Sequence, residues 1–157
     1  MVDVLVCHPS EILRKVCEPI DEIDREALDI GRRLVEGMVA HNGIGLAAPQ
    51  IGILKRAVVV GVPTESGLKP IVMFNPEIIG RSEEVTPLDE GCLSLPGRRF
   101  RVLRPAEVRV RYIMQDGILT EASASGIVAK CIQHEVDHLD GRLVIDIGTE
   151  VADQSRP

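Results

Sequence analysis

Tryptophan is absent, and Phe74, Phe100 and Tyr112 are the only aromatic residues in a chain of 157. The core must therefore be built from Val, Ile, Leu and Met. Positive charge is also in deficit. A formal net charge of −6 argues against a general nucleic-acid or anionic-membrane binder, because both need a basic field. The cluster Arg98, Arg99, Arg101 and Arg104 is a local exception. No run approaches the ~20 apolar residues of a membrane span. The opening MVDVLVCHPSEIL is too short, and too interrupted by Asp3, for a signal peptide, so a cytoplasmic protein is expected. Disulfides are disfavoured there. Cys7, Cys17, Cys92 and Cys131 are accordingly expected as thiols, with at least one put to chemical use. Repeats, linkers and low-complexity segments are missing too. The length favours one domain, placed at 1–147, with a short tail at 148–157 that has the composition of a disordered end.

What is present is an ordinary globular mixture, 45% hydrophobic and 27% charged. From Ile23 to Val39 apolar residues recur at helical spacing, which predicts an amphipathic helix ending near Asn42-Gly43. RAVVVGV (56–62) reads as a strand, Pro63 to Pro70 as a polar turn region, and IVMFNPEIIG (71–80) as two short strands broken at Asn75-Pro76. EVRVRYIM (107–114) alternates, with Val108, Val110, Tyr112 and Met114 on one face and Arg109 and Arg111 on the other. That period of two predicts a half-buried strand, which ILTEAS would join as a hairpin across Gln115-Asp116-Gly117. A second helix is predicted from about Ser125 to Leu139, stopped at Gly141. Short antiparallel strands between two helices make the fold α+β.

The second helix carries His134-Glu135-Val136-Asp137-His138. Two histidines four apart project from one helix face, their Cβ atoms ~5–6 Å apart, so both imidazoles can reach one ion. Glu135 directly follows the first and can reach water at that ion. Catalytic zinc sites usually have three protein ligands and an open position. Downstream of Gly141 there is no His, and Glu150 is the only Glu. Upstream, DEGCLSLPGRRF offers Cys92 between Gly91 and Leu93, expected just before a strand. Cys92 reads either as the third ligand or as a small buried apolar residue.

Three segments, GIGLAAPQ (43–50), EGCLS (90–94) and QHEVDHLDG (133–141), resemble the three motifs of the peptide deformylase family, in the family's order and with similar spacing. The similarity runs from Ile12 to Ile145. It implies antiparallel sheets around a central metal-binding helix. It also implies a metal held by Cys92, His134 and His138 with one position left for water, and removal of the formyl group from N-formylmethionyl nascent peptides. By the same resemblance Glu135 handles the proton, while the Gln50 side-chain amide and the Leu93 backbone N–H donate to the oxyanion. A methionine pocket would use Gly43, Ile44, Leu88, Glu90, Ile127, Cys131 and the wall of His134, with Gly45 and Gly91 beside it.

Gly43 and Gly45 permit close backbone approach, so a substrate strand could pair at Ile44; a tight turn is the plainer reading. Ile127 reads equally as core. Glu90 and Arg104 read as a buried ion pair that sets the Cys92 loop, or as two solvated charges. Arg99 reads as a contact to substrate carbonyls or as part of a solvated face. His8 and His41 fit no metal spacing, and Asp137 has no role that spacing supplies. A thiolate with two imidazoles suits several metals. Fe²⁺, one per chain, is the first choice, and Zn²⁺, Ni²⁺ or Co²⁺ could substitute. Lys130 departs from the family, which often has an apolar residue or Arg there. The tail also departs, being short and more acidic than basic where many relatives carry a long basic helix. Any ribosome contact is thus expected to be transient.

Overall fold

The computed structural model describes residues 2–152. The first helix, α1, spans Arg25–Ala40 and starts at Asp24, whose side chain accepts from the Ala27 N–H at 2.9 Å and caps an otherwise orphaned donor. Among the described residues seven strands follow: β1 (Gly45–Ala47), β2 (Ala57–Thr64), β3 (Gly67–Arg81), β4 (Val85–Gly91), β5 (Arg99–Pro105), β6 (Glu107–Ile113) and β7 (Leu119–Ser125). Helix α2 (Gly126–Leu139), the single turn α3 (Val144–Ile147) and β8 (Thr149–Val151) complete the order. Five strands form one antiparallel sheet, β1-β2-β3-β6-β7, and the remaining three form a second, β4-β5-β8.

The run AVVV in β2 has no polar partner because both of its faces are covered. Val58 and Val60 face Ala129, Ile132, Val136 and Leu139 of α2, whereas Ala57 and Val59 face Ile30, Leu34 and Met38 of α1. The larger sheet therefore lies between the two helices. On β6 the alternating apolar face, Val108, Val110 and Tyr112, packs beneath α2, and Arg109 and Arg111 point outward to Glu121. A third, smaller core of Leu95, Phe100, Val102 and Val144 holds the three-stranded sheet. Among the described residues no helix is long and apolar enough to cross a membrane.

Two expectations are corrected. Asn75-Pro76 does not break a strand: β3 is continuous, with a register shift between Phe74 and Glu77. The extra residue of this bulge is Asn75 at φ 49, held by reciprocal side-chain bonds of 2.7 Å to the backbone of Ile20. The segment from Pro63 to Pro70 is likewise the end of the β2–β3 hairpin, which pairs out to Thr64 and Gly67. Its polar composition reflects exposure at the hairpin tip. Two further differences concern the ends of the site. Cys92 follows β4 directly and lies well before β5. Part of the expected tail, Thr149–Val151, pairs with Arg99–Arg101 of β5; positions 153–157 of that tail lie outside the described residues.

Candidate metal centre

Cys92 arrives from the loop after β4, and His134 and His138 from one face of α2. Their three donor atoms lie within 4.8 Å of one another. Cys92 Sγ stands 3.4 Å from His138 Nε2. Tetrahedral bonds of ~2.3 Å to sulfur and ~2.1 Å to nitrogen would set that separation at roughly 3.6 Å, so the residues fit a small cation. Charge agrees with geometry. Burial pushes the His134 imidazole down, but Cys92 and the Glu90 carboxylate outweigh it and hold its pKa well above the ordinary range. The pocket thus attracts positive charge. Burial pushes His138 well below its ordinary value, keeping the imidazole neutral, as a ligand must be.

The second ring nitrogen of His134 fixes its orientation. Nδ1 meets Glu90 Oε1 at 2.9 Å, which leaves Nε2 for the metal side. Glu90 in turn accepts two bonds from Arg104, at 2.7 and 3.0 Å, and Arg104 Nη1 donates to Asp137 Oδ2 at 2.8 Å. Glu90 and Arg104 are both buried, so of the two sequence readings the structure has the ion pair. Asp137, which spacing left without a role, closes the chain Asp137–Arg104–Glu90–His134. Lys130 is buried beside it, its ammonium donating to the carbonyls of Thr86 at 2.5 Å and Arg104 at 3.1 Å. It thereby ties α2 to β4 and β5. Sequence reading noted both residues but could not give their contacts, because those partners are 33 and 44 positions away.

Gln50 sits in the 3-10 turn Ala48–Ile51 after β1 and is almost wholly buried. Its side-chain oxygen accepts from the Ala47 N–H at 2.9 Å, so its NH₂ must face the other way. There it donates to Ser94 Oγ at 3.0 Å and approaches Cys92 Sγ at 3.7 Å. Ser94 was not singled out from sequence; its hydroxyl, donating to Val6 O at 2.7 Å, aligns this amide. Glu135 is buried under the same cavity, and its Oε1 has no hydrogen-bond partner. Burial raises its pKa to about 7, a rise that His134 opposes. A carboxyl poised there can take and return a proton at neutral pH.

A cavity of about 560 Å³ opens over these groups. Of the sequence-singled residues, Gly43, Ile44, Gly45, Gln50, Leu88, Glu90, Gly91, Cys92, Leu93, Arg99, Ile127, Cys131, His134 and Glu135 all line it. Arg104 and His138 lie behind the wall. Gly45 is required by close approach: a Cβ there would stand 2.6 Å from Cys131 Sγ and 2.7 Å from Glu135 Oε2. At Gly43 a Cβ would meet Leu93 Cδ1 at 2.8 Å.

Residues 2–153 match the family described as Polypeptide deformylase. A peptide deformylase of Bartonella tribocorum is 43% identical over 145 residues, covering 90% of this chain and 82% of the relative. One of Thermodesulfovibrio yellowstonii is 44% identical over 140 residues, covering 88% and 84%. Among solved structures, a probable peptide deformylase from synechococcus phage S-SSM7 superposes with a TM-score of 0.88 at 39% identity, over 92% of this chain and 98% of that one. The Met-Ala-Ser-bound class I type b peptide deformylase of Acinetobacter baumannii gives 0.87 at 32% identity, over 94% and 98%.

Proposed function

This chain belongs to the polypeptide deformylase family, metal-dependent enzymes that remove the N-formyl group from nascent peptides, and from that premise we propose how its own residues do so. The observation that carries the reading is the convergence of Cys92, His134 and His138 within 4.8 Å, with Glu135 and the aligned Gln50 amide lining the same cavity. Helix α2 is then the central metal-binding helix, and Cys92, His134 and His138 hold one divalent ion. That ion, when bound, supplies the Lewis acidity that polarises the formyl carbonyl and makes water nucleophilic at neutral pH. Fe²⁺ is the proposed native metal, with Zn²⁺, Ni²⁺ or Co²⁺ able to fill the same donor set.

The substrate is an N-formylmethionyl peptide. Its backbone runs along the edge of β1 at Ile44, and its methionine side chain enters the part of the cavity walled by Leu88, Ile127, Cys131 and His134. Water oxygen attacks the formyl carbon while Glu135 accepts the water proton. The Gln50 NH₂ and the Leu93 N–H donate to the resulting oxyanion; each donor of this kind contributes about 10²–10³ in rate. Glu135 then passes the proton to the nitrogen as the C–N bond breaks, giving a free α-amine and formic acid, which ionises to formate by releasing water's second proton. Glu90, Arg104 and Asp137 hold His134 in place. The reaction is assigned to the cytoplasm, where nascent chains emerge. With a net charge of −6 the protein lacks a general basic field for RNA, so contact with the ribosome is proposed to be transient.

The test is formate release from formyl-Met-Ala-Ser by protein loaded with Fe²⁺ without oxygen. Turnover that disappears on chelation and returns with metal is expected. A fully metallated protein that releases no formate would sink the reading.

A further inference from the structure

The mouth of the cavity carries an unbalanced charge. Asp89 is occupied by Arg101, whose Nε and Nη2 meet the two carboxylate oxygens at 2.9 and 3.3 Å. Arg98 reaches outward to Glu150 of β8, at 2.8 and 3.0 Å. Glu90 is taken inside the protein by Arg104. Arg99 differs. Among the described residues no carboxylate comes within 4.0 Å of its guanidinium. Its Nη2 donates only to the main-chain oxygen of Asp89, at 2.7 Å. Its Nη1 lies over Gly91, 3.6 Å from where a Cβ on that residue would stand.

Arg99 pairs in register with Gly91, the residue immediately before the metal ligand Cys92. A peptide with its formyl carbon at the metal, leaving along the edge of β1, advances ~3.3 Å per residue. Its first two residues after methionine therefore pass within reach of a long arginine side chain at this rim. A neutral peptide laid over Arg99 strips water from the cation and returns nothing, and a lysine there adds repulsion. A carboxylate side chain supplies the planar, two-oxygen partner that a guanidinium accepts best. The net charge of −6 opposes this only at long range, where salt screens it beyond roughly 8–10 Å.

Resting on the deformylase reading above, we propose that Arg99 is a specificity-determining residue that favours substrates with an acidic side chain in the first two positions after methionine, and disfavours basic ones. The experiment compares metal-loaded protein on formyl-Met-Ala-Ser, on formyl-Met-Glu-Ser and formyl-Met-Lys-Ser, and on formyl-Met-Ala-Glu and formyl-Met-Ala-Lys, at fixed ionic strength. The expected ratio of kcat/KM, Glu over Lys, is about three- to tenfold at one or both positions, carried mainly by KM and shrinking with added salt. Arg99→Gln should bring the ratio near one, Arg99→Glu should invert it, and Arg99→Lys should keep part of it. Because each ratio is taken within one protein preparation, a variant that folds poorly still reports it. Ratios within twofold in the wild type, with all five peptides deformylated, would overturn the proposal and leave the enzyme reading intact. An undiminished ratio in Arg99→Gln would overturn the assignment to Arg99. Formate from none of the peptides would instead count against the deformylase reading on which the proposal stands.

Discussion

Glu135 enters the folded protein at a cost that depends on pH. Burial lifts its carboxyl from 4.5 in the unfolded chain to about 7, so between those values the native state keeps a proton that the unfolded state has lost. Metal-free protein must therefore lose stability as pH rises through that window. Glu135→Gln, which keeps the shape without the charge, should be more stable than the metal-free wild type by about 3 kcal/mol at pH 8, and equal to it near pH 4. Urea unfolding at the two pH values measures this; equal stabilities at pH 8 would contradict the burial account. Glu90 has the opposite sign. Burial pushes it up, but the bonds from His134 and Arg104 outweigh burial and hold it below its ordinary value. Its contribution is present above the unfolded value and is lost as pH falls through the depressed one. At this scale the sequence was most informative about the Cys92, His134 and His138 cluster, because all three residues fall in motifs. Asp137, Lys130 and Ser94 were not legible, since each acts on a residue or backbone group that only the fold brings near.

Elements were legible where one face alone is apolar. Helix α1 and strand β6 show their periods because each has one buried and one wet side. Strand β5 also alternates, Phe100, Val102 and Arg104 pointing in while Arg101 and Leu103 point out. The inward arginine and the outward leucine disguise that pattern, and the inward arginine is there to hold Glu90. Strand β4 carries Pro87 on the edge of its sheet, where no interior ladder bond is lost. Strand β1 is short, yet its contact with α2 is tight. Gly45→Ala would drive a Cβ into Cys131 and Glu135, with Val59 O at 3.1 Å leaving little room to retreat. Overpacking of this kind costs about 1–3 kcal/mol. Displacement of Glu135 should cut kcat/KM on the order of 10²-fold. Thermal unfolding and steady-state formate release test both; an Ala variant with wild-type turnover would show that β1 can slide freely.

Across the whole molecule, the site is assembled from parts that no single element contains. Gln50 comes from the turn after β1, Cys92 from the loop that leaves the small sheet after β4, and both histidines from the helix packed against the large sheet. Docking the two sheets and closing the metal site are therefore one event, and a bound metal should stabilise the fold by mass action. The four thiols report on this. Cys7 is exposed, Cys92 is half-buried among the ligands, and Cys17 and Cys131 are buried. Burial raises the Cys17 thiol to about 11 and Cys131 well above its ordinary value. A thiol reagent at pH 8 should titrate Cys7 alone in the metallated protein, Cys7 and Cys92 after chelation, and all four in urea. Equal reactivity of Cys92 with and without metal would remove it from the ligand set. The α+β class and the motif order could be read in advance. The depth of the Cys92 loop and the pairing of β8 with β5 depend on sheet docking and could not.

The most direct measurement is formate release from formyl-Met-Ala-Ser by wild type and Glu135→Gln, each assayed for bound metal in the same sample. Equal metal content with turnover reduced by about 10²–10⁴ in the variant is the predicted result, since Cys92, His134 and His138 remain and only the proton carrier is gone. A metallated Glu135→Gln protein that turns over like wild type would contradict the role assigned to Glu135, and with it the account of how this cavity works.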